Sequence, residues 1–192
     1  MNKAKLYIDV DDTFLNTEKY MRNVLKANGI RVRDGLIAYD YRDDPVAKDL
    51  MDMLFSDYSV IPKMDGAEES LKILQCDYDV VFTSSVFSEK ERDAKEKYFK
   101  EMGKKLIIIP GQFDLSAFIV PSSDTLIVND KSRVLDKSGV YPINTYCMWN
   151  TRTSEKNIYE YLKHGGTVVF DWYELCDQIM GTQFVSVPKK IG

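Results

Sequence analysis

The segment Leu6-Tyr7-Ile8-Asp9-Val10-Asp11-Asp12-Thr13 holds the residues best suited to chemistry. Its apolar start predicts a buried strand, so an Asp-x-Asp-x-Thr cluster emerges at that strand's carboxyl end, where open parallel sheets keep their ligand sites. Carboxylates held this close repel each other unless a cation lies between them, and a hard divalent ion such as Mg2+ suits oxygen ligands. Phosphoryl transfer is the simplest chemistry for such a site. A helix-loop-helix calcium loop would also open Asp9-x-Asp11-x-Thr13, but it needs Gly at its sixth position and Glu at its twelfth. The chain has Phe14 and Tyr20 there. A solvated acidic turn after a strand is the other reading that these few residues leave open.

More of the same chemistry stands further along. A second apolar run, Asp79-Val80-Val81-Phe82, ends in Thr83-Ser84-Ser85, which offers hydroxyl and backbone N–H groups to phosphate oxygens ahead of a helix. Another, Thr125-Leu126-Ile127-Val128, ends in Asn129-Asp130 and puts a further acid at the same sheet edge. Asp9, Asp11 and Asp130 could then share one Mg2+.

These points must be carried by a regular frame, and the chain supplies one. Apolar runs alternate with helical patterns, which predicts a doubly wound, mainly parallel α/β sheet with helices on both faces. The expected strands are Leu6 to Val10, Val80 to Thr83, Leu106 to Ile109, Thr125 to Val128, Asn144 to Met148 and Thr167 to Phe170. Ser88 can cap a helix closed by Gly103, Ser154 one that ends at Gly165-Gly166, and Asp171 a last one stopping at Gly181. Between the first two strands lie about seventy residues, far more than one crossover needs. Helical patterns near Glu18 to Asn28, Pro45 to Phe55 and Gly66 to Leu74 make this a helical cap over 17–75, inserted in a core of 1–16 and 76–192.

At 192 residues, 44% apolar and 29% charged, the chain is long and apolar enough to bury a core and too ordinary in charge to be disordered. A net charge of −4 speaks against a basic surface that would hold nucleic acid, so an anionic small substrate needs local cations or a metal. Cys76, Cys147 and Cys176, odd in number and without CxxC spacing, read as reduced structural thiols of a cytoplasmic protein. No apolar run predicts a membrane span or a leader, and the sequence leaves a homodimer open.

With Asp9-Val10-Asp11-Asp12-Thr13, a strand ending in Thr83 and a strand ending in Asn129-Asp130, the chain resembles the haloacid dehalogenase-like phosphohydrolase superfamily. Within it, the stretch from Phe55 through Pro62-Lys63-Met64-Asp65-Gly66 into Val80-Val81-Phe82-Thr83-Ser84-Ser85, and Asp171-Trp172-Tyr173-Glu174-Leu175 near the end, are similar to the 5'(3')-deoxyribonucleotidases. The resemblance implies a Mg2+-dependent hydrolase of phosphomonoesters working through an aspartyl-phosphate, with a nucleotide as the expected substrate. Asp9 would be the nucleophile and Asp11 the general acid and base. Thr83 and Ser84 would hold phosphate oxygens, and Asp9, Asp130 and the main-chain carbonyl at Asp11 would hold the metal.

Two departures accompany it. The family's phosphate-facing lysine is missing, because no lysine or arginine occurs between Leu106 and Asp130, leaving Lys131, Lys97 or Lys90 to reach in. Asn129 stands where relatives usually have Asp. Phe14, Tyr39, Tyr41, Phe55 and Tyr58 are the expected aromatic substrate pocket, while His164 and the methionines Met51, Met53 and Met64 read as structural. A phosphatase for another small phosphomonoester, or a nucleotide-binding protein of this fold without turnover, are the alternatives.

Overall fold

Runs rich in Val, Ile, Leu and Tyr become strands that bury both faces, the pattern that parallel sheets require. In the computed structural model these are β1 (Ala4–Asp9), β2 (Tyr78–Val86), β3 (Lys105–Pro110), β4 (Thr125–Asn129), β5 (Thr145–Met148) and β6 (Thr167–Val169). All five pairings are parallel, in the order β3-β2-β1-β4-β5-β6. The structure describes residues 3–33, 36–41, 45–86, 88–111, 113–140, 142–149 and 155–185, without the side chains of 39, 46, 54, 155–157 and 182–185.

The helices are α1 (Thr17–Ala27), α2 (Pro45–Leu54), α3 (Ala67–Asp77), α4 (Glu89–Glu101), α5 (Ser132–Asp136), α6 (Glu155–Lys163) and α7 (Trp172–Val185). One sheet face carries Leu6, Ile8, Phe82 and Val128 into a core shared with Phe99 and Trp172. The other carries Tyr7, Val81, Ile127 and Cys147 against Leu135 and Tyr161. The chain winds outward from β1 to β3 on one side and from β4 to β6 on the other, so the order reverses between β1 and β4. Ligands of open α/β sheets bind in the crevice at the carboxyl ends of such a pair.

Ser88 and Asp171 cap as expected, accepting from Glu91 N at 3.1 Å and Glu174 N at 2.8 Å. Ser154 lies outside the described residues. One expectation fails: α7 runs through Gly181 to Val185. A glycine inside a helix costs about 1 kcal/mol, too little to stop a helix anchored by the buried Trp172, Leu175 and Ile179.

α1 and α2 close on a small core of their own around Met21, Leu25, Ala38, Ala47 and Met51. α3, by contrast, sends Ala67, Leu71 and Leu74 into the sheet core, and Ser70 Oγ donates to Trp172 O at 2.9 Å. Met53, expected to fill a gap, is 60% exposed.

Candidate active site

β1 ends at Asp9, in register with Thr83 of β2, and Val10 N donates to Thr83 O at 3.1 Å before the chain leaves the sheet. There it curls tightly, with Phe14 N and Leu15 N both donating to Val10 O and Asp12 N donating to Leu15 O at 2.8 Å. Asp12 sits at φ 58°, in the left-handed region that Asp tolerates better than most residues. That twist turns its carboxylate away, and Oδ1 accepts from Glu18 N at 2.7 Å. α1 is thereby capped by Asp12, since the adjoining Asn16 makes no side-chain cap. Asp12 is thus structural, and Asp9 and Asp11 are left for chemistry. Trp172 Nε1 donates to Thr13 O at 2.8 Å and pins the loop to α7.

The half-buried Asp11 carboxylate is held from three sides. Thr17 Oγ1 donates to Oδ1 at 2.9 Å, while Lys95 Nζ at 2.7 Å and Ser84 Oγ at 3.2 Å both serve Oδ2. Lys95, a lysine of α4 with no exposed side-chain area, also donates to Ser84 Oγ and Glu91 Oε1 at 2.7 Å each and to Ser85 O at 3.1 Å. Of the other lysines that could reach in, Lys90 and Lys97 are exposed, while Lys131 lies near enough to act on Asp9 through its charge. A signal for Lys95 was present: Glu91, Ala94, Lys95 and Phe99 form one stripe of α4, so the helix period places a lysine on its inward face.

Charge around the site follows from these contacts. Burial pushes the Asp11 carboxyl up, but the Lys95 ammonium and its hydrogen bond, with the Thr17 hydroxyl, outweigh that and hold it below the ordinary range. Lys95 is the mirror case: burial pulls it down, and Asp11 and Glu91 more than restore it, leaving it above the usual lysine value.

Asp9 behaves in the opposite way. Burial first, and then the charge of Asp130, drive its carboxyl well above the usual range, with Lys131 the main opposing cation. Asp130 follows β4 and is buried, with its carbonyl accepting from Cys147 Sγ at 3.7 Å. The same surroundings push the Cys147 thiol up to about 12, through burial and then the Asp130 charge. Asn129 accepts from Lys131 N at 2.8 Å and so shapes the turn that leads into α5. The half-buried Lys131 lowers both Asp9 and Asp11 through its charge.

Among the described residues no three His, Cys, Asp or Glu side chains converge as a metal cage. Of the expected metal set, the Asp11 carboxylate is held by Lys95, while Asp9 lies near enough to Asp130 for that charge to raise its carboxyl.

Most of the expected aromatic pocket is core. Phe14 is fully buried, 4.8 Å from the Phe82 ring and 6.0 Å from Trp172. Tyr58 is 1% exposed, lies beneath Lys95 and is stacked by Phe55 at 6.2 Å. The Tyr41 hydroxyl accepts from Arg33 N and donates to Arg31 O, which fastens a loop of the insertion. The side chain of Tyr39 lies outside the described residues. An aromatic not considered from the sequence, Trp149, stands 36% exposed just past β5. With Asp12, Asn16, Lys19 and Met64 it lines a cavity of about 290 Å3. His164 is exposed at a helix end, its Nδ1 3.6 Å from Asp136.

No protein-family profile matches the chain, and no curated protein does. Solved structures do match. A candidate beta-phosphoglucomutase from Thermotoga maritima is similar at TM-score 0.61 and 13% identity, over 94% of this chain and 99% of that one. A haloacid dehalogenase-like family hydrolase from Streptococcus pneumoniae follows at 0.58 and 9%, over 92% and 98%. Another from Xanthomonas campestris gives 0.53 and 12%, over 94% and 96%. The fold is therefore haloacid dehalogenase-like, an α/β sheet of Rossmann type. At these identities the likeness concerns the backbone, and chemistry has to be argued from the side chains.

Proposed function

We propose that the chain is a phosphomonoesterase that uses Mg2+ and an aspartyl-phosphate intermediate. The observation that carries this reading is the buried ammonium of Lys95, 2.7 Å from both Asp11 Oδ2 and Ser84 Oγ. It supplies the cation that the segment before β4 lacks, in a crevice that already holds Asp9 and Asp130.

The donor set suits a hard divalent cation, because two acids pressed together at a buried strand edge, one of them raised well above its usual range, are relieved by such an ion. Asp9 and Asp130 would hold Mg2+ together with the main-chain carbonyl of Asp11, where the ion would offset the repulsion between the Asp9 carboxylate and the substrate phosphate. Asp9 then attacks phosphorus in line, the bond from phosphorus to the leaving oxygen breaks, and Asp11 protonates that oxygen. Water later attacks the phosphorus with Asp11 taking its proton, the bond from phosphorus to the Asp9 oxygen breaks and inorganic phosphate leaves, which regenerates both carboxyl groups.

Lys95 explains how Asp11 can act as an acid although its carboxyl starts below the ordinary range. Phosphate oxygens compete for the ammonium, and each loss of contact with it lets burial raise the Asp11 pKa. Ser84 and Thr83 would hold phosphate oxygens, and Lys131 lowers the Asp9 carboxyl through its charge.

For the leaving group we favour a nucleoside, so that the best substrate is a (deoxy)ribonucleoside monophosphate. The supporting feature is Trp149, whose partly exposed ring lines a cavity with Asp12 and Asn16 and offers a flat platform for a base. The buried ammonium beside Asp11 and Ser84 favours turnover over a reading of binding alone.

The test is phosphate release from a panel of phosphomonoesters with and without Mg2+, in the parent protein and in Asp9→Asn. Mg2+-dependent release that disappears in Asp9→Asn, with circular dichroism unchanged, is the expected result. Turnover that survives in Asp9→Asn rules out the assigned nucleophile, and preference for a sugar phosphate rules out the nucleoside.

A further inference from the structure

The ammonium of Lys95 has three protons and four acceptors within 3.1 Å: Asp11 Oδ2, Ser84 Oγ, Glu91 Oε1 and Ser85 O. Asp11, Ser84 and Ser85 belong to the crevice. Glu91 does not, because it lies one turn earlier on α4 and approaches Lys95 from the side of the helical insertion. It is 4% exposed, so a charge has been brought into the interior. A buried charge is kept only where it is paired and hydrogen-bonded, and this one is paired with Lys95.

Tyr58 completes the arrangement. Its hydroxyl donates to the same Glu91 Oε1 at 3.3 Å, and its ring face lies 5.0 Å from Lys95 Nζ. Tyr58 begins the short turn Tyr58–Val60, through which the chain returns from the insertion, and Asp57 caps that turn by accepting from Ser59 N at 3.0 Å. Phe55, just after α2, stacks on the Tyr58 ring. An unbroken set of contacts therefore runs from the insertion through Tyr58 and Glu91 to Lys95 and Asp11.

We propose that Glu91 is a positioning residue, which with Tyr58 anchors the Lys95 ammonium from behind so that it pivots between Asp11 and an incoming phosphoryl oxygen. A lysine has a flexible four-carbon stem and no preferred direction of its own. Glu91 supplies that direction from a point that stays in place when Asp11 and Ser84 yield to phosphate. Tyr58 makes the position of the anchor depend on how the insertion sits. The proposal rests on the phosphatase reading for its catalytic consequence and on geometry alone for the anchoring.

Two measurements separate these parts. The first is turnover of a generic aryl phosphate with Mg2+ by the parent, Glu91→Gln, Tyr58→Phe and the double variant. Glu91→Gln preserves shape and is expected to lower kcat about tenfold or more with KM changed by less than about threefold, while Tyr58→Phe lowers kcat about threefold. Because both act through one ammonium, Tyr58→Phe should have no further effect in the Glu91→Gln background. A kcat that is unchanged or raised in Glu91→Gln, or fully additive effects, overturns the proposal.

The second measurement needs no activity: the ammonium resonance of isotope-labelled lysine, identified as Lys95 by its loss in Lys95→Met. Burial should protect it from exchange in the parent, and Glu91→Gln should broaden or shift it, with Tyr58→Phe doing so by a smaller amount. That outcome in a protein which turns over no phosphomonoester supports the anchoring and overturns the phosphatase reading instead. A parent without a protected resonance, or a resonance indifferent to both substitutions, overturns the anchoring itself. Should Glu91→Gln fail to fold, Tyr58→Phe, which keeps ring and volume, carries the same comparison.

Discussion

Replacing Lys95 by Met tests the electrostatic construction of the site through stability, independently of any substrate. Met fills nearly the same volume but leaves two acids facing it without their cation. The side chains of Lys95, Asp11 and Glu91 are 0%, 14% and 6% exposed, so solvent screens these pairs little. Removing one partner of such a pair costs about 3–5 kcal/mol, against a total stability of about 5–15 kcal/mol for a typical domain. The variant should therefore fold and be markedly weaker near neutral pH.

The pH dependence has a definite sign. In the parent, the folded-state pKa of Asp11 is depressed, so its contribution is present above the unfolded value and is lost as pH falls through the folded one. The raised pKa of Lys95 contributes stability that is complete throughout this range and fades only as pH rises through its folded value. In Lys95→Met the Asp11 carboxyl has lost its main opposing charge, burial raises it, and acid relieves the strain by protonating it. The gap between parent and variant should thus be widest at about pH 7 and narrow toward about pH 4. Urea denaturation followed by circular dichroism across that range measures it. A gap under about 1 kcal/mol at neutral pH, or one that does not vary with pH, contradicts the account of Lys95 as a buried counter-ion.

Two other outcomes follow from contacts around the site. Asp12→Ala removes the carboxylate that caps α1 and places a Cβ residue less tolerant than Asp at φ 58°. We expect a loss of about 1–2 kcal/mol in thermal or urea denaturation, with Asp12→Asn losing less than Asp12→Ala; equal losses argue against the cap. In the native protein a thiol reagent at mildly alkaline pH should modify Cys76, which is exposed, and spare the buried Cys147 and Cys176 until denaturant is added. Burial with the Asp130 charge holds the Cys147 thiol up at about 12, so rapid native modification of Cys147 contradicts the packing of β5 against β4.

The parts legible in the sequence were those that depend on neighbours along the chain. Strand positions followed from apolar runs, and Ser88 and Asp171 announced their helices because a cap and the N–H it satisfies lie three residues apart. Asp9 and Asp11 were visible for the same reason, as acids at the end of an apolar run. That one of three neighbouring acids, Asp12, would turn away was not visible, since it depends on a left-handed residue and on where α1 begins.

Contacts across long separations are set by how the elements pack. Lys95 lies 84 residues from Asp11, and their pairing exists because α4 settles on the sheet with its Glu91, Ala94, Lys95 and Phe99 stripe inward. Phe14 and Tyr58 were equally fit to line a pocket or fill a core, and burial settled them as core once α3, α4 and α7 closed over β1 and β2. Local sequence carries the period of an element and the chemistry of its ends. Which inward-facing side chain becomes a counter-ion, and which aromatic ring is left for a ligand, is set by the packing of distant elements, and that is where the cation of this site was found.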